Sequence, residues 1–160
     1  DISMLDRFEK QLSFFNINPQ TDVLGTGAIL IDENNHELGK KIMPSSNIEM
    51  KKHLYFNSCF FHPSVMAKKN FFLPNNLYNE KLMRSQDWFL WVDNFDKYKY
   101  SNIKEFLLKY RVNTSSTSSL YWNIKVLFLQ GFKRKEFIAI FGVILLCYQY
   151  LFKKIYLRSN

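Results

Sequence analysis

In the segment Arg84-Ser85-Gln86-Asp87-Trp88-Phe89-Leu90-Trp91, a single carboxylate stands at the predicted start of a helix otherwise committed to apolar burial. A carboxylate so placed can accept a proton from a substrate hydroxyl. The plainer account of Asp87 is a helix-start anion held by the dipole, worth a few tenths to about 1 kcal/mol, and composition by itself favours it. His62, in Phe61-His62-Pro63-Ser64, reads first as a hydrogen-bonded core or rim histidine and only then as a catalyst. No Ser/His/Asp constellation can be assembled from spacing. Gly25-Thr26-Gly27 lacks the third glycine and the following helix of a dinucleotide loop, so it is weak support for phosphate binding. Cys59 and Cys147 lie 88 positions apart with no CxxC pair, which argues against a disulfide scaffold or a zinc finger.

The elements that must position these residues follow from periodicity. Phe8, Leu12 and Phe15 recur at i, i+4, i+7, the spacing of one helical face, and predict an amphipathic helix over 6–18, stopped by Pro19. The apolar run 22–32, bounded by Asp22 and Asp32, is too short for a typical helix and predicts a buried strand. A more polar strand is expected at 38–43, then a helix over 48–56 started by Pro44-Ser45-Ser46-Asn47. Residues 60–66 read as a strand entering the core, with Pro63 marking an edge or bulge. A helix over 84–98 should bury Leu90, Trp91 and Phe95, and a strand is expected at 107–112. Alternating helices and strands give an α/β layered domain.

With 160 residues, 47% of them hydrophobic and only five Gly and four Pro, the chain should build one core and is not a disordered segment. Its net charge of +8 is uneven. Residues 1–119 carry 15 basic and 13 acidic side chains, whereas 120–160 carry 7 basic ones against Glu136 alone. The polar stretch 113–119 separates the two parts. In the tail, Lys133-Arg134-Lys135 and Lys153-Lys154 flank the sixteen-residue apolar run 137–152. A spanning helix needs about 20 apolar residues, so residues 133–154 suit a helix lying in the membrane interface, drawn to anionic lipid. The competing account is a terminal helix packed on the protein's own core. A nearly neutral body makes nucleic-acid binding a poor fit. No signal peptide is visible, and a first residue Asp1 rather than Met suggests a processed or excised piece.

Taken in order, Asp1-Ile2-Ser3, Asp6-Arg7-Phe8-Glu9-Lys10-Gln11, Asp22-Val23-Leu24-Gly25-Thr26, His62-Pro63-Ser64-Val65-Met66, Gln86-Asp87 before Leu90-Trp91, and Tyr110-Arg111-Val112 form a series. Over residues 1–119 the series resembles the C-terminal half of a family 2 glycosyltransferase, the inverting, nucleotide-sugar-dependent kind with the Rossmann-like GT-A fold. The resemblance implies a partial GT-A domain lacking its N-terminal nucleotide-binding half and followed by C-terminal helices. It implies that Asp1 trails the family's metal-binding Asp-x-Asp, touching a divalent ion (manganese or magnesium) whose main ligands lie upstream. It places Asp1 and Arg111 on the cofactor side. The family's Glu-Asp pair falls on Gln86-Asp87, which makes Asp87 the base that deprotonates the acceptor. His62, Ser64, Gln86 and Trp88 would line the acceptor side, with Trp88 or Trp91 stacking on a sugar ring. Asn113 stands where family members often carry His. The partners implied are a nucleotide-sugar donor and a surface-polysaccharide or lipid-linked glycan acceptor, at the cytoplasmic face of the membrane. The isolated chain is expected to be an inactive acceptor-side fragment. A non-catalytic membrane-associated interaction module is the alternative.

Overall fold

The structure, a computed structural model, describes residues 1–73, 77–112 and 126. The polar stretch 113–119, the apolar run 137–152 and the basic residues flanking it lie outside the described residues, as does Asn113. The chain forms β1 (Ile2–Ser3), α1 (Arg7–Ile17), β2 (Val23–Ile31), β3 (Glu37–Lys41), α2 (Asn47–Leu54), β4 (Met66–Ala67), α3 (Gln86–Asn94) and β5 (Tyr100–Arg111), with 3-10 turns at His62–Ser64 and Lys69–Phe71. The strands make one sheet in the order β1-β5-β2-β3, with β4 also paired to β2. β2 and β5 run parallel and the remaining pairs are antiparallel.

β2 sits inside the sheet and is buried for most of its length, as its unbroken apolar run requires. Its pairing with β5 shifts at Gly27, where Thr26 faces Ile103 but Gly27 faces Phe106. The extra residues Lys104 and Glu105 bulge outward, and their carbonyls lie within 3.2 Å of where a Gly27 side chain would begin. β3 is the outer strand and exposes Glu37, Lys40 and Lys41. α2 begins as expected: the Ser46 hydroxyl accepts from the Glu49 N–H, and the Glu49 carboxylate accepts from the Ser46 N–H.

The main core is aromatic. Trp91, fully buried, meets Phe60 edge-on at 5.3 Å, Phe71 at 5.8 Å and Tyr100 at 6.2 Å between ring centroids. The Tyr100 hydroxyl donates to the Trp91 carbonyl at 3.1 Å. Such pairs add roughly 0.5–1.5 kcal/mol each beyond the area they bury.

Three expectations are corrected. Residues 60–66 are not a strand: Pro63 lies in a 3-10 turn, closed by Ser64 N–H to Phe61 O at 2.8 Å, and only Met66–Ala67 join the sheet. α3 is shorter than 84–98, and β5 begins seven residues before 107, because its first half alternates buried Tyr100 and Asn102 with half-exposed neighbours.

On α1 the apolar stripe faces outward. Phe8 and Leu12 are each 57% exposed, while Arg7 and Gln11 are buried. The surface beneath the helix presents backbone carbonyls, which need donors: Gln11 Nε2 reaches Leu24 O at 3.2 Å and Ser64 O at 2.9 Å, and Arg7 reaches Pro63 O at 3.3 Å. A buried carbonyl without a partner costs more than a leucine gains by turning inward from a half-covered position. The Arg7 guanidinium covers the Phe8 ring at 4.5 Å.

Gly25 has no room for a side chain, since a Cβ there would meet Asn102 Oδ1 at 2.3 Å and the Phe60 ring at 2.6 Å. Gly25→Ala should therefore destabilise the protein by about 1–3 kcal/mol, measured as a lowered denaturation midpoint with an unchanged slope.

Candidate functional site

The start of α3 carries Asp87. Ser85, the residue before the helix, adopts the left-handed conformation (φ 58°), which turns the chain sharply into α3. Gln86 does not reach outward: its Nε2 donates to Leu82 O at 2.5 Å and fastens the turn. Asp87 is half-buried, in the first turn of the helix.

Three side chains feel the Asp87 carboxylate. Burial, and then the charge of Asp87, push the phenols of Tyr78 and Tyr110 above the ordinary tyrosine range. Burial pushes the Cys59 thiol up much further, with Asp87 adding to it. Both phenols therefore remain protonated at neutral pH and available as donors beside an anion. The Phe61 ring packs on Tyr110 at 5.1 Å, and the His62 ring meets Tyr78 edge-on at 5.9 Å. His62 is exposed. The result is a carboxylate at a helix start whose charge reaches two protonated phenols, one of them packed on an exposed imidazole.

Of the residues singled out in the sequence, His62 and Asp87 meet around Tyr78. Ser64 and Trp88 do not face this space. Ser64 is fully buried, its hydroxyl accepting from Thr26 N–H at 3.1 Å and donating to Phe61 O at 2.8 Å. Trp88 is buried against α2 and donates to Leu54 O at 2.9 Å, so it presents no ring face to a sugar. Trp91 is core. Ser64 and Trp88, expected to line the acceptor side, are thus both buried here.

Asp1 and Arg111 are brought together at the end of β5, where Asp1 Oδ1 accepts from the Arg111 backbone N–H at 2.7 Å. The Arg111 guanidinium bonds to Asp32 O and to Asn35 Oδ1, tying down the β2–β3 turn. Among the described residues no group of three or more His, Cys, Asp or Glu side chains could hold a metal ion, so Asp1 does not head a metal site built from this chain's described part. Among the same residues no helix is long and apolar enough to cross a membrane.

Tyr78 escaped sequence reasoning because it lies between Asn and Leu residues without periodicity. Tyr110 was in view only as part of Tyr110-Arg111-Val112, without its placement beside Asp87. Gln11 was in view only as part of Asp6-Arg7-Phe8-Glu9-Lys10-Gln11, and Asn102 gave no signal, since a polar residue in a helix or strand is ordinarily solvated.

A mixed parallel and antiparallel sheet with a half-buried carboxylate at a helix start defines an α/β domain of the kind that fits a glycosyltransferase. Comparison with known proteins points the same way. The chain is 38% identical to an uncharacterized glycosyltransferase of Methanocaldococcus jannaschii, over 70% of this chain and 39% of the relative. It is 31% identical to the O-antigen biosynthesis glycosyltransferase WbnJ of Escherichia coli, over 88% of this chain and 57% of the relative. It is 26% identical to the amylovoran biosynthesis glycosyltransferase AmsE of Erwinia amylovora, over 77% of this chain and 46% of the relative. The chain thus spans between 39% and 57% of the length of these curated relatives. No family model matches it. Its homologues are glycosyltransferases by name.

Raised phenol values carry a definite sign. The unfolded chain releases these protons first, so stability present below about pH 10 should fall as pH rises through the folded-state values. In an ultraviolet titration of tyrosinate, Asp87→Asn should lower the ionisation midpoint of the late-titrating tyrosines. A midpoint unmoved by that change would place Asp87 away from Tyr78 and Tyr110.

Proposed function

We propose that this chain is the acceptor-side part of an inverting, nucleotide-sugar-dependent glycosyltransferase of family 2 with the GT-A fold, acting as a hexosyltransferase. Its acceptor is a surface polysaccharide or lipid-linked glycan, met at the cytoplasmic face of the membrane. Residues 133–154 supply the membrane contact in this reading, and a manganese or magnesium ion accompanies the donor. The observation that carries the proposal is Asp87, half-buried in the first turn of α3 with its charge reaching two protonated phenols, in a chain whose homologues are named glycosyltransferases.

The chemistry asked of Asp87 is one proton transfer. As an acceptor hydroxyl oxygen attacks the anomeric carbon, its proton passes to the Asp87 carboxylate. The new C–O bond forms on the face opposite the leaving nucleoside diphosphate, which departs with the bonding pair, and the anomeric configuration inverts. Tyr78 and Tyr110 hold hydrogen bonds to sugar hydroxyls, and His62 bounds the acceptor at the rim. Gln86, where the family has Glu, keeps the helix start in place through Leu82 O.

General-base catalysis contributes typically 100- to 10,000-fold. Asp87→Asn in the full-length gene product should therefore lower transfer by about that factor while leaving the denaturation midpoint close to that of the parent. The assay is release of nucleoside diphosphate across a panel of nucleotide sugars, with manganese or magnesium. Turnover by the Asn variant within a few-fold of the parent would make Asp87 a structural helix-start residue and leave the interaction-module reading in its place.

A further inference from the structure

The segment from Cys59 to Ser64 forms one wall of the Asp87 site. Phe61 packs on Tyr110, His62 packs on Tyr78, and the His62 ring lies 6.1 Å from that of Trp91, one helical turn beyond Asp87 in α3. The wall is clamped at both ends by a buried side-chain amide. At one end Asn102 Nδ2, from β5, donates to Cys59 O at 2.9 Å and to Pro44 O at 2.7 Å. At the other, Gln11 Nε2, from α1, donates to Ser64 O at 2.9 Å and to Leu24 O at 3.2 Å. Each amide group spends both N–H bonds on two carbonyls from different parts of the chain, and this pairing fixes which way the amide points. Between the clamps, Ser64 locks the turn through Thr26 N–H and Phe61 O.

We infer that Gln11 and Asn102 are positioning residues for the acceptor: they hold the Cys59–Ser64 wall so that His62 and the two tyrosines present a fixed surface beside Asp87. The inference rests on the glycosyltransferase reading for the identity of the ligand, though not for the clamp itself. Only a two-donor amide serves here. A carboxylate of the same shape would turn lone pairs toward carbonyl oxygens, and a hydrocarbon would leave all four carbonyls short of a donor. Both amide groups donate to carbonyls outside α3, so their loss should move the wall and leave the helix start of α3 in place.

The test uses Gln11→Met and Asn102→Leu in the full-length gene product, with Arg7→Met as a second variant that removes the bonds to Pro63 O, Ser3 Oγ and Gln11 Oε1 but keeps both bonds of the Gln11 amide group. Two rates are read from one donor: transfer to acceptor and hydrolysis by water. A loosened wall should lower transfer relative to hydrolysis by roughly 10- to 100-fold, the scale on which a displacement of about 1 Å acts. The KM for acceptor should rise and the KM for donor should stay within about twofold, by the same reasoning that the lost contacts serve one substrate only. Parallel loss of both rates, or no change in folded variants, overturns the inference. Should Gln11→Met or Asn102→Leu fail to fold, Arg7→Met decides by the same ratio. If the parent turns over no donor at all, the glycosyltransferase reading falls by itself. The clamp then stands or falls on tyrosinate titration, in which the variants should lower the late midpoint and an unmoved midpoint overturns the inference.

Discussion

A backbone carbonyl removed from water must find a donor, and in this protein that requirement governs how the pieces meet. The turn at His62–Ser64 and the neighbouring stretch of β2 leave the carbonyls of Leu24, Pro63 and Ser64 facing α1. The helix answers with Arg7 and Gln11 and gives up the burial of Phe8 and Leu12 to do so. On the other side Asn102 meets the same demand from Pro44 and Cys59. The wall beside Asp87 therefore takes its shape from hydrogen-bond accounting at a few buried oxygens, with the apolar core supplying the ground beneath it.

That division explains what the amino-acid sequence disclosed. β2 was legible because a continuous apolar run of nine residues between aspartates has few other homes. α2 was legible because Pro44-Ser45-Ser46-Asn47 marks a helix start, which the structure completes with a reciprocal cap between Ser46 and Glu49. The inward face of α1 was not, since a period of 3.6 says which residues share a face and nothing about which face is buried. Carbonyls arriving from residues 24, 63 and 64 decide that, and they carry no mark in the helix's own sequence. The turn at Pro63 and the early start of β5 failed for a related reason. Each depends on a polar side chain, Ser64 or Asn102, finding its partners inside the fold.

The site divides in the same way. Asp87 stood out because a carboxylate amid Trp, Phe and Leu is anomalous in type. Its neighbours Tyr78 and Tyr110 arrive from a loop and from the end of β5, 9 and 23 positions away in sequence. Ser64 and Trp88 show the converse: residues flanking an anomalous position gain attention by adjacency, while the backbone turns their side chains elsewhere. In a helix, Asp87 and Trp88 point about 100° apart. One can open on solvent while the other is buried against Leu54.

The outer strand β3 has a bearing on the protein's behaviour in a crowded solution. A sheet margin offers unpaired N–H and C=O groups to any passing strand, and a long apolar margin invites stacking of one molecule on the next. β3 is five residues long and irregular at Gly39, with its pairing to β2 shifting between Leu30 and Ile31. Its exposed Glu37, Lys40 and Lys41 would have to shed water for another strand to dock. Among the described residues the sheet thus ends in a border that resists extension.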